Sequence, residues 1–295
     1  MISNKTAIFL DGNWLLHRAY HTIGKRSAIP TRRVPMQLLS WFYEYAVRWN
    51  AKHGLIAFDG DAVFRYELYD GYKASRKGKD KDTGESDEVY ASLEPAKRLF
   101  CAVGVTNIQL KSYEADDVVI AAASQWCAAN PSNRAIVVNK DKDAYGYVTD
   151  RLLCWTPAMT HSPEVTVNPA YVKSKYGLSA SQFRDFQILI GDKIDNIPSI
   201  LPVVEARDLL VEHGSLKEYF STPSGKEFFL GKKKKLLRNK ALVSMKTDCV
   251  DLSSLDIAVP RPMALDISMV VDEFGPLPKS ASAYSSTAAR TKTLF

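Results

Sequence analysis

Three short apolar runs that stop at an aspartate constrain this chain more than any other feature of it. Residues 6–10 run into Asp11, residues 54–58 run into Asp59, and residues 134–138 run into a loop carrying Asp141 and Asp143. Uninterrupted β-prone runs bounded by turn residues are how strands buried on both faces read. Helical patterns at about 35–50, 89–102 and 115–129 alternate with these runs. The expected fold is therefore α/β, with a mostly parallel central sheet flanked by helices. Open sheets of this kind place their sites at the carboxyl ends of the strands, where all three runs deliver a carboxylate.

Residues 65–88 break the alternation. Arg65, Lys73, Arg76, Lys77, Lys79 and Lys81 crowd a stretch with Gly71, Gly78 and Gly84 and almost no apolar periodicity, so a mobile basic insertion is expected. Beyond about residue 168 the pattern turns helical, with a helix near 181–190, a tight turn at Gly191-Asp192, and a basic helix near 230–244 that carries Lys232, Lys233, Lys234, Lys235, Arg238 and Lys240. The expected organisation is an α/β core over 1–168 that includes the insertion, a helical lobe over 169–260, and an extension over 261–295 that is disordered from about 276. A net charge of +6 with a pI near 9.0 favours a polyanionic partner. Cys101, Cys127, Cys154 and Cys249 form no Cys-x-x-Cys or Cys/His spacing and are read as reduced core residues. No apolar run is long enough to span a bilayer and the amino terminus is unlike a signal peptide, so a soluble, cytoplasmic chain with no membrane partner is expected.

Acidic residues recur where these elements begin and end: Asp11, Asp59, Glu114, Asp116, Asp117, Asp141, Asp143, Asp192 and Asp195. Glu114, Asp116 and Asp117 open the 115–129 helix, where the helix dipole favours acids whether or not they bind anything. On a helix, Glu114 and Asp117 lie about 300° apart and share a face, while Asp116 turns away from Asp117 by about 100°. Carboxylates gathered in a partly desolvated cleft repel unless cations join them. Oxygen ligands without His or Cys select hard cations, so Mg²⁺ is expected, with Mn²⁺ as substitute. Two such ions about 4 Å apart would activate water and stabilise the leaving oxyanion of a phosphodiester, with no protein nucleophile needed.

Asp11-Gly12 followed by His17-Arg18-Ala19-Tyr20-His21, then Phe58-Asp59, Phe64-Arg65, Tyr72-Lys73 with Arg76, Glu114-Ala115-Asp116-Asp117, Asp141-Lys142-Asp143 and the run from Gly191-Asp192 through Asp195 to Pro198 form an ordered set. The set resembles the motifs of the 5′→3′ exonuclease and flap endonuclease family, that is, the 5′ nuclease domain of bacterial DNA polymerase I and the phage flap endonucleases. The likeness runs from about residue 7 to 244 with no polymerase region following, similar to the free-standing phage or bacterial versions. It implies a structure-dependent 5′ nuclease acting on DNA with 5′ single-stranded or nicked ends, or on RNA–DNA, in primer or flap removal and repair. It further implies that Asp11, Asp59, Glu114 and Asp116 hold one ion, that Asp141, Asp143, Asp192 and Asp195 surround a second, and that Asp117 lies at or between them. The 65–88 insertion would be a helical arch from which Lys73 and Arg76 reach the scissile phosphate, with Asp116 the third catalytic residue. Arg18, Tyr20, Arg65 and Tyr72 would join them in contacting nucleic acid.

The sequence departs from the family at 199–207, where a Gly-rich hairpin usually holds duplex phosphates and K⁺. Those glycines are missing here and Pro202 removes an amide donor, which puts the K⁺ site in doubt. Lys232–Lys235 would compensate by neutralising phosphates. Asp61 is read as a surface acid. The final Lys292-Thr293-Leu294-Phe295 is similar to peptides that dock on sliding clamps, and a monomer is expected. Two alternatives are a haloacid-dehalogenase-like phosphatase, which would need an acid where Asn13 stands, and a catalytically silent DNA-binding scaffold of the same fold.

Overall fold

The computed structural model describes residues 5–74, 85–260, 272–281 and 284. The apolar runs form the centre of a six-stranded sheet: β1 (Lys5–Asp11), β2 (His53–Phe58), β3 (Asn107–Gln109), β4 (Asn133–Val138), β5 (Leu152–Thr156) and β6 (Val165–Val167). The spatial order is β3-β2-β1-β4-β5-β6, parallel throughout except for β6, which runs antiparallel to β5. In-register pairing of Leu10 with Ile56 on one side and with Val138 on the other aligns the carboxyl ends of β1, β2 and β4. Chain order reverses at β1, so the crevice between β1 and β4 is the switch point at which such sheets bind ligands.

Both sheet faces are buried, which is why the central strands read as continuous apolar runs rather than alternating ones. Ile8, Leu10, Ile56, Phe58, Ile136 and Val138 point into one core, covered by α1 (Gly12–Ala19), α2 (Pro30–Arg48) and, after α3 (Val63–Leu68) and α4 (Glu85–Tyr90), by α5 (Leu93–Ala102). Ala7, Phe9, Leu55, Ala57, Ala135 and Val137 point into the other core, beneath α6 (Ala115–Ala129). The helical lobe closes over that second core with α7 (Pro169–Tyr176), α8 (Ala180–Ile190), α9 (Val203–His213), α10 (Leu216–Tyr219) and α11 (Pro223–Val243). Phe183, Leu189, Leu210 and Leu236 of the lobe join Val119 and Val137 in one continuous apolar cluster.

Two sequence expectations change here. Phe274, Ala281 and Tyr284 are buried in the α2 side of the core, and the Tyr284 hydroxyl donates to the Ala51 carbonyl at 3.1 Å, so these parts of the carboxyl-terminal segment are packed rather than disordered. Spacing between their apolar residues is too irregular to show periodicity. Cys127 and Cys154 are buried, but Cys101 is exposed and Cys249 only half-buried. Residues 199–207 form a turn and the first part of α9, which begins straight after Pro202. Arg76, the 75–84 stretch of the expected arch, and Lys292–Phe295 lie outside the described residues. Among those described, no helix is long and apolar enough to cross a membrane.

Candidate active site

The site is built by backbone that must turn sharply where β1 and β2 end. Asp11 accepts the Trp14 N–H at 3.0 Å and so caps α1. Gly12 follows it because a Cβ there would come within 2.6 Å of the Ala57 carbonyl. At the end of β2, the Asp59 N–H donates to Asn13 Oδ1 at 2.8 Å, and Asp59 Oδ1 accepts the Ala115 N–H at 2.7 Å from the start of α6. Past β4, Asp141 accepts the Asp143 N–H at 2.9 Å, which starts the short 3₁₀ turn Lys142–Tyr147. Gly191, at φ +64, lets the chain after α8 double back, since a Cβ there would lie 2.3 Å from the Ile197 carbonyl. Asn239 of α11 fastens that loop by donating to the carbonyls of Pro198 at 2.8 Å and Ile188 at 3.0 Å.

These elements surround a cavity of about 220 Å³ lined by Asp11, Asp59, Glu114, Asp116, Asp141, Asp143 and Asp195, with Lys73, Tyr72, Arg65, His17 and Trp14 in its walls. Asp192 lines an adjoining recess together with Asp11, Asp141, Lys142 and Asp195. The carboxyl of Asp11 is pushed up to about 7 by burial first, then by Asp59 and Asp141. Asp143 is pushed up to about 7 as well, by burial and then Asp141, with Asp192 and Asp195 adding to it. Asp116 is raised by burial and by the neighbouring charges of Asp11, Asp141, Asp59 and Glu114. Glu114 goes the other way. Burial opposes its charge, but Lys73 Nζ at 2.5 Å, Arg65 and the Tyr72 hydroxyl outweigh burial and hold its pKa below the usual carboxylate range.

Two expected site residues do other work. Asp117 is fully buried, accepts both ends of the Arg65 guanidinium at 2.6 and 2.7 Å, and also accepts the Lys246 N–H at 2.9 Å and the Glu114 N–H at 3.3 Å. Its oxygens are spent on holding α6 to the chain after α11, and it does not line the cavity. Arg65, only 2% exposed, also donates to the Leu242 carbonyl at 3.2 Å and is therefore a structural cation rather than a nucleic-acid contact. A helical wheel misplaces this trio because Glu114 is the extended N-cap of α6, which frees its side chain from the helical direction, while Asp117 folds back to complete a capping box.

Tyr20 is likewise buried, with its hydroxyl on Glu88, and it does not reach the surface. Tyr72 is 2% exposed and presents only its hydroxyl, to Glu114, at 3.2 Å. Arg18 lies over the Trp41 ring at 4.5 Å and donates to Tyr45 at 3.0 Å and the Ala158 carbonyl at 2.7 Å. It lines a second groove that shares Trp14 and His17 with the acidic cavity. Lys73, left-handed at φ +51, is fixed by its N–H on the Asp195 carbonyl at 3.0 Å and by its Glu114 ion pair, which place its ammonium in the cavity wall. Lys232–Lys235 are exposed on α11, away from the cavity lining. Sequence reasoning missed Gln187, whose buried amide donates to Asp143, and Asn139, whose amide faces Asp116 at 3.5 Å. Neither belongs to an acidic pattern, and nothing in the sequence marks them.

Among the described residues, no group of three or more His, Cys, Asp or Glu is arranged to hold an ion as it stands. The charge distribution nevertheless fits a divalent cation, because burial and neighbouring carboxylates raise the pKa of Asp11, Asp116 and Asp143, a repulsion that a bound cation would relieve.

An open α/β sheet with a carboxylate-walled cavity at its switch point defines the general class, an acid-site α/β protein. The family model described as "5'-3' exonuclease, N-terminal resolvase-like domain" matches residues 6–177, and the chain belongs to that family. Similar sequences include DNA polymerase I of Thermus aquaticus, 27% identical over 88% of this chain and 29% of that protein. DNA polymerase I of Mycobacterium bovis is 32% identical over 72% of this chain and 23% of that protein. The chain therefore spans between a fifth and a third of these relatives' length. Solved structures with a similar fold include the T5 D15 protein co-crystallised with metal ions, at TM-score 0.69 and 18% identity over 95% of this chain and all of that one. The catalytic core of Rad2 with a DNA substrate is similar at TM-score 0.57 and 12% identity, over 95% of this chain and 92% of that one.

Proposed function

We propose that this chain is a structure-dependent 5′ nuclease that hydrolyses phosphodiester bonds near DNA 5′ ends, by 5′→3′ exonuclease or flap endonuclease action, in primer or flap removal and repair. The observation that carries the proposal is the convergence of seven carboxylates from five separate chain segments on one small cavity at the switch point of the sheet. Membership of the 5′-3′ exonuclease family supports it, as do the T5 5′-exonuclease with bound divalent ions and the Rad2 core with DNA among proteins of similar fold.

In this reading Asp11, Asp59, Glu114 and Asp116 hold one divalent ion and Asp141, Asp143 and Asp195 a second, whereas Asp192, expected among the second ion's ligands, is engaged by Lys142 and by the N–H groups of Ile194 and Asp195; Mg²⁺ is the natural cation and Mn²⁺ its substitute. When bound, such cations supply Lewis acidity to a phosphodiester and acidify water. The residues of the chain orient and exclude. Asn13 and the start of α6 fix Asp59, Gln187 fixes Asp143, and Asn139 faces Asp116, so the carboxylates meet a substrate with little reorganisation. Lys73 stands in the wall as a donor for a phosphate oxygen, Arg76 of the expected arch is assigned the same role, and the exposed Lys232–Lys235 face of α11 attracts the duplex. Asp116→Ala tests the assignment. Single-turnover cleavage of a 5′-flap duplex should be lost while binding, read by fluorescence anisotropy, persists. Cleavage near the wild-type rate would remove Asp116 from the site.

A further inference from the structure

Two lysines reach the acidic residues, and they are held very differently. Lys73 is fixed twice, through its backbone and through its ammonium, with 16% of its side chain exposed. Lys142 sits on the first residue of a short 3₁₀ turn, with 39% of its side chain exposed, and nothing but ion pairs restrains its end. Its ammonium hydrogen bonds to Asp192 Oδ2 and lies 3.6 Å from Asp143 Oδ1. The other oxygen of Asp192 accepts the N–H groups of Ile194 at 2.7 Å and Asp195 at 3.3 Å. Asp192 thus accepts three donors of this chain, and its Oδ2 faces the recess with the lysine it holds.

We infer that Lys142 is a resident counter-cation which competes with a divalent ion for the Asp141–Asp143–Asp195 end of the site and so sets that ion's affinity. Asp192 is then a positioning residue that acts through Lys142. The inference rests on the cavity being a metal site. A divalent ion that approaches Asp143 must either share it with a positive charge 3.6 Å away or drive that charge into solvent, and the length and exposure of Lys142 allow the second. At the Asp11–Asp116 end the lysine is Lys73, which pairs with Glu114 at 2.5 Å and is also held through its backbone, so an ion there binds beside a cation that stays in place rather than displacing one. Breaking a half-exposed ion pair to admit the ion weakens binding by up to about fivefold.

Free Mn²⁺ followed by electron paramagnetic resonance during titration of the DNA-free protein reads this without any cleavage. The wild type should bind ions in two classes, one at each end of the site. Lys142→Met should tighten one class by up to about fivefold and leave the other unchanged, while Lys142→Arg, which keeps the charge, should match the wild type. Lys142→Gln gives the same comparison with a polar side chain, and a thermal melt establishes that each variant is folded. Unchanged or weaker binding in both neutral variants, or tightening in Lys142→Arg as well, would overturn the role of Lys142 alone. A wild-type protein that binds no Mn²⁺ would overturn the metal site and this inference with it.

Discussion

Asp116 and Asp117 are adjacent in the chain, yet the structure predicts stability changes of opposite sign when each is neutralised. Asp117 holds the buried Arg65 guanidinium through two bonds and caps two backbone N–H groups. Among the described residues, Asp117→Asn leaves Arg65 with Glu114, at 3.4 Å, as its charged partner. Removing one member of a buried ion pair costs about 3–5 kcal/mol, because the remaining charge keeps its desolvation penalty. At about 2–4 °C per kcal/mol for a domain of this size, the melting temperature should fall by about 6–20 °C. Asp116→Asn removes a charge that burial and four neighbouring acids disfavour, so in EDTA it should melt at or above the wild-type temperature. The assay is thermal unfolding by circular dichroism in EDTA, paired with Mn²⁺ binding. A stable Asp117→Asn that has lost Mn²⁺ binding would refute the structural reading of Asp117 and return it to the ligands.

Other consequences are narrower. Lys73→Ala should slow single-turnover cleavage about 100-fold, the scale for losing one preorganised donor, and an unchanged rate would exclude contact with the phosphate. Replacing Lys232–Lys235 with alanine should weaken DNA binding at low salt and reduce the slope of log affinity against log salt by about 0.9 for each phosphate no longer neutralised, whereas an unchanged slope would make α11 a solvated face only. His53 packs against the Trp126 ring at a 40° tilt, and burial, then Lys5, lower its pKa below the ordinary histidine value. The folded state therefore resists protonation, the unfolded state binds the extra proton, and stability should fall as the pH drops below about 6.5. His53→Gln should lessen that fall in urea melts between pH 7.5 and 5.5, and an identical pH dependence would count against it.

The parallel centre of the fold was legible because strands buried on both faces leave continuous apolar runs, and because Asp11, Asp59 and Asp141 mark where those runs end. β3 is three half-exposed or exposed residues, and the four apolar residues of β5 are too few to distinguish strand from helix by periodicity. α9 was obscured by Pro202, which reads as a breaker yet serves as the N-cap. At the site, the acids could be found from sequence, since each sits at an element boundary. Their division of labour could not, because it depends on partners far along the chain. Asp117 is separated from Arg65 by 52 residues, and Lys142 from Asp192 by 50.

The central claim is that the carboxylate cavity cuts DNA near 5′ ends with divalent cations. Its most direct test is a gel assay of a 5′-end-labelled flap duplex and a nicked duplex, each with Mg²⁺ and with EDTA. Release of short 5′ fragments with Mg²⁺ and none with EDTA is the predicted result, and the product lengths on the two substrates separate flap cutting from stepwise removal. Intact substrate under both Mg²⁺ and Mn²⁺, with the DNA still bound, would contradict the claim and leave a DNA-binding scaffold of this fold.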